Sequence, residues 1–222
     1  MPDAYVPLLA DFVLDAGEAA AVAIANNAAD PWNFVSADPA EAAALKSAKA
    51  KILAYHLQRH SDHCCYCRGN LHGAGPYMTD REHILPKGKP TFKPYSYTMW
   101  NLAAACKRCN MQFKGQSDAF VVNKTDATKF QDGANYLFVH PNFDRWEDFL
   151  DRIEAAKGGK RVVGFEFVSN DPKAQYTHTF FKLQELVMDT FDKQQRAPTI
   201  AQTSELGREV LKLAEQHRQR RA

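Results

Sequence analysis

Two C-x-x-C pairs, Cys64-Cys65-Tyr66-Cys67 and Cys106-Lys107-Arg108-Cys109, about 38 residues apart, restrict what this chain can fold into more than any other feature. Two intervening residues let both thiolates of a pair face one ion while amides of the turn stabilise their charge. Two such turns make a closed tetrahedral site from Cys64, Cys67, Cys106 and Cys109, the usual arrangement of a structural Zn2+. Four thiolates leave no open position for water, so this zinc is expected to be structural. The separation exceeds the ~15–20 residues of common zinc ribbons, so a folded segment must lie between the turns. Free cysteines or a redox pair are the competing reading, but a redox motif needs one pair only. Cys65 lies too close to Cys67 to join the set and is expected to be a spare thiol, buried or exposed.

With 222 residues, 45% hydrophobic and 24% charged, the chain is long enough to bury a real core. Its first residues carry Asp3, Asp11, Asp15 and Glu18 and no basic leader, unlike a secretory signal. No run reaches the ~18 apolar residues a membrane span needs. A soluble, cytoplasmic protein is expected, where five cysteines point to metal rather than disulfides. A net charge of +2 argues only weakly for nucleic acid. Local charge argues better, because Glu82 is the sole acid from 81 through 117.

An α+β chain is expected, in which a helical segment over 1–60 precedes a core at 61–118 and an α/β extension over 119–222, all packed as one unit. The Ala-rich stretch 4–28 reads as one or two short helices. Asp38-Pro39 is a good start for a second helix running to His60, with Leu45, Ala48, Ile52, Tyr55 and Leu57 on its apolar stripe. Tyr136–Val139 reads as a short strand, Trp146–Ala156 as a helix and Arg161–Val168 as a strand that Tyr176–Phe181 pairs with. A last helix is expected from the Ser204 cap through Leu206, Val210 and Leu213 to a basic tail.

Between and beside the turns stand Glu82-His83-Ile84-Leu85-Pro86-Lys87, then Trp100-Asn101-Leu102, then Asn110-Met111-Gln112-Phe113-Lys114-Gly115 directly after Cys109. Taken alone, an adjacent Glu and His would be an ion-pair partner and a core histidine. In this order and spacing they resemble the HNH nuclease family over roughly 61–116, about a quarter of the chain. The resemblance implies a ββα-metal hairpin carrying Glu82 and His83 on its first strand, Asn101 as brace and Asn110 opening the following helix. Hydrolysis would leave 5′-phosphate and 3′-hydroxyl ends. A neutral imidazole suits proton abstraction, so His83 is the expected general base. A hard ion, Mg2+ or Mn2+, wants oxygen ligands, which Glu82 and Asn110 would supply. Glu replaces the more frequent Asp or His before the base, and Asn110 the final His; both keep a donor atom.

Arg81, Lys87, Arg108 and Lys114 are the expected phosphate contacts, with Lys89, Lys93 and Lys107 nearby. His56, His60, His63 and His72 are expected to pack or face solvent; His140 and His178 are expected to be structural, the alternative being that either lines the site. The wider pattern, including Val139-His140-Pro141-Asn142-Phe143-Asp144, looks like the HNH nucleases of Septu-type and retron-associated anti-phage systems. That likeness implies a partner ATPase or other defence protein, no membrane, and nucleic acid as substrate, DNA ahead of RNA. Two alternatives are a stand-alone restriction or homing-type endonuclease and a non-catalytic zinc module; the second has no need of Glu82, His83 and Asn110 together.

Overall fold

The computed structural model describes residues 3–157 and 160–189. Helix α1, Ala16–Asn26, starts at Asp15, whose carboxylate accepts from the Glu18 amide while the Glu18 carboxylate accepts from the Asp15 amide. Among the described residues upstream of α1, only one 3-10 turn forms, over Leu9–Asp11. Helix α2 spans Pro39–Arg59, with Asp38 accepting from Ala40 and Glu41 amides and Pro39 fitting the first turn. Its small face lets α1 approach closely: Ala21, Val22 and Ala25 pack on Leu45 and Ala48. One turn on, Ile52 meets Trp32 and Leu102, which seats the helical segment on the central hairpin.

The chain then enters the first cysteine turn and a one-turn helix α3, Gly75–Met78, before strand β1, Thr79–His83. Strand β2, Leu102–Cys106, pairs antiparallel with β1, setting Asp80 against Ala105, Glu82 against Ala103 and His83 against Leu102. Three buried alanines on β2 leave room for the larger side chains around them. A π-helical segment, Arg108–Lys114, follows immediately.

Beyond it, strands β3, Leu150–Lys157, and β4, Lys160–Phe167, form a long antiparallel pair that the two-residue β5, Met188–Asp189, extends. Helix α4, Pro172–Phe180, packs beside them. One buried cluster runs from Cys64 and Tyr66 through Phe120, Phe138 and Trp146 to Phe181, so the region after 119 shares a core with the cysteine turns. Among the described residues no helix is long and apolar enough to cross a membrane.

Three expectations for the region after 119 are corrected. Residues 150–157 form a strand, not a helix: apart from the turn at Trp146–Asp148, the segment pairs with the β-rich run of β4, and tertiary pairing overrides its helix-friendly Glu and Ala. Tyr176–Phe180 belongs to α4, with Phe181 as its C-cap, rather than to a strand, because Asp171 caps the Lys173 amide at 2.8 Å and Pro172 begins the helix. Tyr136–Val139 makes one isolated bridge, Val121 to Tyr136, and no strand. Its aromatic residues serve the core instead, with Tyr136, Phe138 and Val139 all buried. The helix expected from Ser204 and the tail after it lie outside the described residues.

Candidate functional site

The cysteine turns close first. Cys64 N donates to Gly69 O at 2.8 Å and Arg68 N to Cys64 O at 2.9 Å, so the first turn folds back on itself. Cys65 N reaches Ala104 O at 3.0 Å, and Cys106 N points at Cys64 Sγ at 3.3 Å, which ties this turn to β2. The sulfur atoms of Cys64, Cys67, Cys106 and Cys109 all lie within 4.8 Å of one another. Zinc–sulfur bonds of about 2.3 Å in a tetrahedron require sulfur atoms about 3.8 Å apart. Cys67 Sγ and Cys106 Sγ are separated by 3.8 Å. The donor set and its size therefore fit a structural zinc. Cys65 is buried outside the set, and burial pushes its thiol well up.

Above the turns, β1, the loop after it and the π-helical segment enclose an open cavity of about 540 Å3. Asp80, Arg81, Glu82, His83, Lys87, Asn110 and Lys114 line it together. Glu82 is fully buried, with Lys114 Nζ 2.8 Å and the Tyr66 hydroxyl 3.0 Å from Oε1. Its second oxygen, Oε2, is buried with no hydrogen-bond partner among the described residues. Burial pushes this carboxyl above its usual range, while Lys114 and Tyr66 pull it back.

His83 Nε2 lies 3.1 Å from Ser96 O. A backbone carbonyl can only accept, so Nε2 carries the proton and Nδ1 keeps the lone pair. The ring stands edge-on to Trp32, with centroids 4.4 Å apart. Burial holds His83 down to about 3, and Lys87, Lys114 and Lys49 add to the effect against the Ser96 hydrogen bond. The imidazole is neutral throughout the physiological range.

Asn101, fully buried, fixes the loop that leaves β1. Its Oδ1 accepts from Leu85 N at 2.7 Å, and Nδ2 donates to Tyr95 O at 3.1 Å. Asn110 Nδ2 donates to Asp80 Oδ2 at 3.1 Å, which leaves Oδ1 as an acceptor. The other oxygen of Asp80 holds Lys107 at 2.7 Å.

Not every expected residue meets here. Arg108 lies outside the cavity lining, and its guanidinium donates to Phe181 O and Lys182 O at 2.9 Å and pairs with Glu185. It ties the π-helical segment to the C-terminal extension, apart from the other expected phosphate contacts. Lys89 pairs with Asp118 at 2.6 Å and Lys93 donates to Ala29 O at 2.8 Å, so both are engaged elsewhere. His56, His60 and His140 are buried packing residues, while His72 is exposed beside Asp62.

Several participants escaped the sequence reading. Trp32 comes from the α1–α2 connection, with Asn33 Oδ1 3.4 Å from Lys87 Nζ and Trp32 O 2.7 Å from Lys49 Nζ. Asp80 had a signal, standing two residues before Glu82 on the same strand. Tyr66 had only its place between two cysteines. Comparison with protein-family models, with curated proteins and with solved structures found no match to this chain.

Proposed function

We propose that this chain is a metal-dependent endonuclease of the HNH type, hydrolysing phosphodiester bonds in nucleic acid, with DNA the favoured substrate. One observation carries the reading: His83, neutral with Nε2 engaged by Ser96, Glu82, with Oε2 unpartnered among the described residues, and Asn110, with Nδ2 engaged by Asp80, line the same cationic cavity. The hairpin β1–β2 followed by the π-helical segment has the order the family's ββα element requires.

In this reading, His83 Nδ1 takes a proton from water as the water oxygen attacks phosphorus. The bond from phosphorus to the 3′-oxygen breaks, a 5′-phosphate remains, and the departing oxygen takes its proton from solvent. Asn101 keeps the loop after His83 in register, which fixes the ring's direction. Arg81, Lys87 and Lys114 supply positive charge for the phosphodiester. Glu82 Oε2 and Asn110 Oδ1 would hold a hydrated Mg2+ or Mn2+, which would supply positive charge to offset the negative charge developing in phosphodiester hydrolysis. Lys114 pairs with Oε1 as a buried counter-ion and lines the same cavity, which leaves Oε2 for the metal.

The test is cleavage of single- and double-stranded DNA and RNA by the purified protein with Mg2+ or Mn2+. Metal-dependent products with 5′-phosphate ends are expected. Cleavage that needs no divalent metal, or products with 5′-hydroxyl ends, overturns the mechanism.

Tyr66 links the two metal centres in this scheme, because its backbone belongs to the first cysteine turn and its hydroxyl orients Glu82. Its ring stacks on Phe181 at 4.2 Å, so Tyr66→Phe keeps the packing and removes one hydrogen bond. Losing such an outer partner of a ligand costs about 10–100-fold in metal affinity or activity. The expected result is a rise of about tenfold in the Mn2+ concentration giving half-maximal cleavage, at unchanged zinc content. An unchanged Mn2+ dependence removes Tyr66 from the scheme.

A further inference from the structure

A second cleft, of about 250 Å3, opens beside the cavity just described, and Arg81 lines both. Its floor is apolar. Phe34 packs on the α1–α2 cluster, Leu45 is buried below it, and Val35 is 81% exposed. Cations form the rim: Lys46 and Arg81 are exposed and pair with no acid among the described residues, while Lys49 stands over the Trp32 ring. Glu41, an acid of the same helix, is tied to Ser36 Oγ at 2.6 Å. Burial lowers the Lys49 pKa, and the like charges of Arg81 and Lys87 lower it further, so an anion there relieves repulsion.

An apolar floor with a cationic rim is complementary to one nucleotide, the base below and its phosphate at the edge. Duplex nucleic acid keeps its bases stacked and offers mainly phosphates and groove edges, whereas a single strand can turn a base outward. Resting on the nuclease reading above, we propose that this cleft is a subsite for one unstacked nucleotide of a single strand whose neighbouring phosphate lies in the catalytic cavity. Arg81, shared by both spaces, holds the phosphate between them. Substrate choice is then directed toward single-stranded or locally opened nucleic acid.

The test uses the His83→Ala protein, so strands stay intact, and fluorescence anisotropy of labelled 12-mers: oligo-dT, oligo-U, an abasic strand and a duplex. Lys46 is exposed, so Lys46→Glu leaves folding and zinc content intact. Against oligo-dT it should weaken binding about tenfold and lower the salt slope by about one. The duplex should change less than twofold, and the abasic strand should bind the unaltered cleft about tenfold more weakly than oligo-dT. Comparison of oligo-U with oligo-dT identifies which single strand is preferred. Equal losses for duplex and single strand, or equal affinity for abasic and base-carrying strands, would reduce the cleft to a charged face and overturn the subsite. The nuclease reading would survive that result. Failure of the wild type both to bind and to cleave any strand overturns both.

Discussion

His83→Ala is expected to lower cleavage about 1,000-fold, within the ~10²–10⁴ range that general-base catalysis supplies. The zinc should stay, because His83 touches neither cysteine turn and its ring is held by Ser96 and Trp32. Removing the ring leaves a small void and an unpaired carbonyl, a cost of about 1–3 kcal/mol, so the variant should remain folded with a modestly lower Tm. Measuring zinc content, Tm and rate together separates a lost base from a lost fold. A variant that cleaves within threefold of wild type would remove His83 from the mechanism. The pH dependence follows from burial. With the folded-state value held down to about 3, His83 in the free protein stays in its basic form as pH falls from 8 to 5. No acid limb of kcat/KM in that window belongs to it. Burial raises the Glu82 carboxyl, with Lys114 and Tyr66 opposing, so Glu82 is the one of the pair that loses its charge first as pH falls. A base held so low is also a weak one. An incoming phosphodiester offsets the charges of Lys87, Lys114 and Lys49 and raises His83, so a histidine limb should appear in kcat at a higher pH than in kcat/KM.

What could be read from the sequence was local. The cysteine turns depend on two-residue spacings, and α2 announced itself through Asp38 and Pro39. Glu82 and His83 share a strand, and Asn110 follows Cys109 directly, so their convergence on one cavity needed only the β1–β2 pairing. Long-range packing was hidden. Trp32 reaches the cavity because small residues let α1 and α2 pack closely and Ile52 seats α2 on Leu102; no spacing near residue 83 encodes this. Arg108 shows the converse: it belongs to the run of cations around the motif in sequence, but its guanidinium reaches the Phe181 carbonyl rather than the cavity. Strand β3 failed for a related reason, since its partner β4, rather than its own Glu and Ala content, decides its conformation. Tyr66 was legible only as a residue between ligands. Its hydroxyl acquires meaning once β1 brings Glu82 to 3.0 Å.

Loss of the zinc site should be the most damaging change. Cys109→Ser, or a chelator strong enough to strip thiolate-bound zinc, is expected to abolish the cooperative thermal transition. Structural zinc contributes about 10–16 kcal/mol in small zinc domains, comparable with the ~5–15 kcal/mol net stability of a whole folded domain. The site holds more than its own turns here. The first turn donates Cys65 N to Ala104 O, its Tyr66 is embedded among Phe138 and Phe181, and Tyr66 O accepts from Trp146 Nε1 at 3.1 Å. Without the ion, Cys64 and Cys109, both fully buried, face each other as unpaired thiols or repelling thiolates at the base of β2. The π-helical segment carrying Asn110 begins directly after Lys107, so the cavity should be lost with the fold. Cys65→Ser is the matched control, altering a buried sulfur outside the ligand set, and should keep the zinc and lower the Tm by only a few degrees. Adding Mn2+ to the stripped protein should not restore the transition, because thiolates select Zn2+ over the harder ion. Full zinc content and an unchanged Tm in Cys109→Ser would dissolve the staple. Restoration by Mn2+ alone would mean that one ion serves both places, and the division into a closed sulfur site and an open oxygen site would fail.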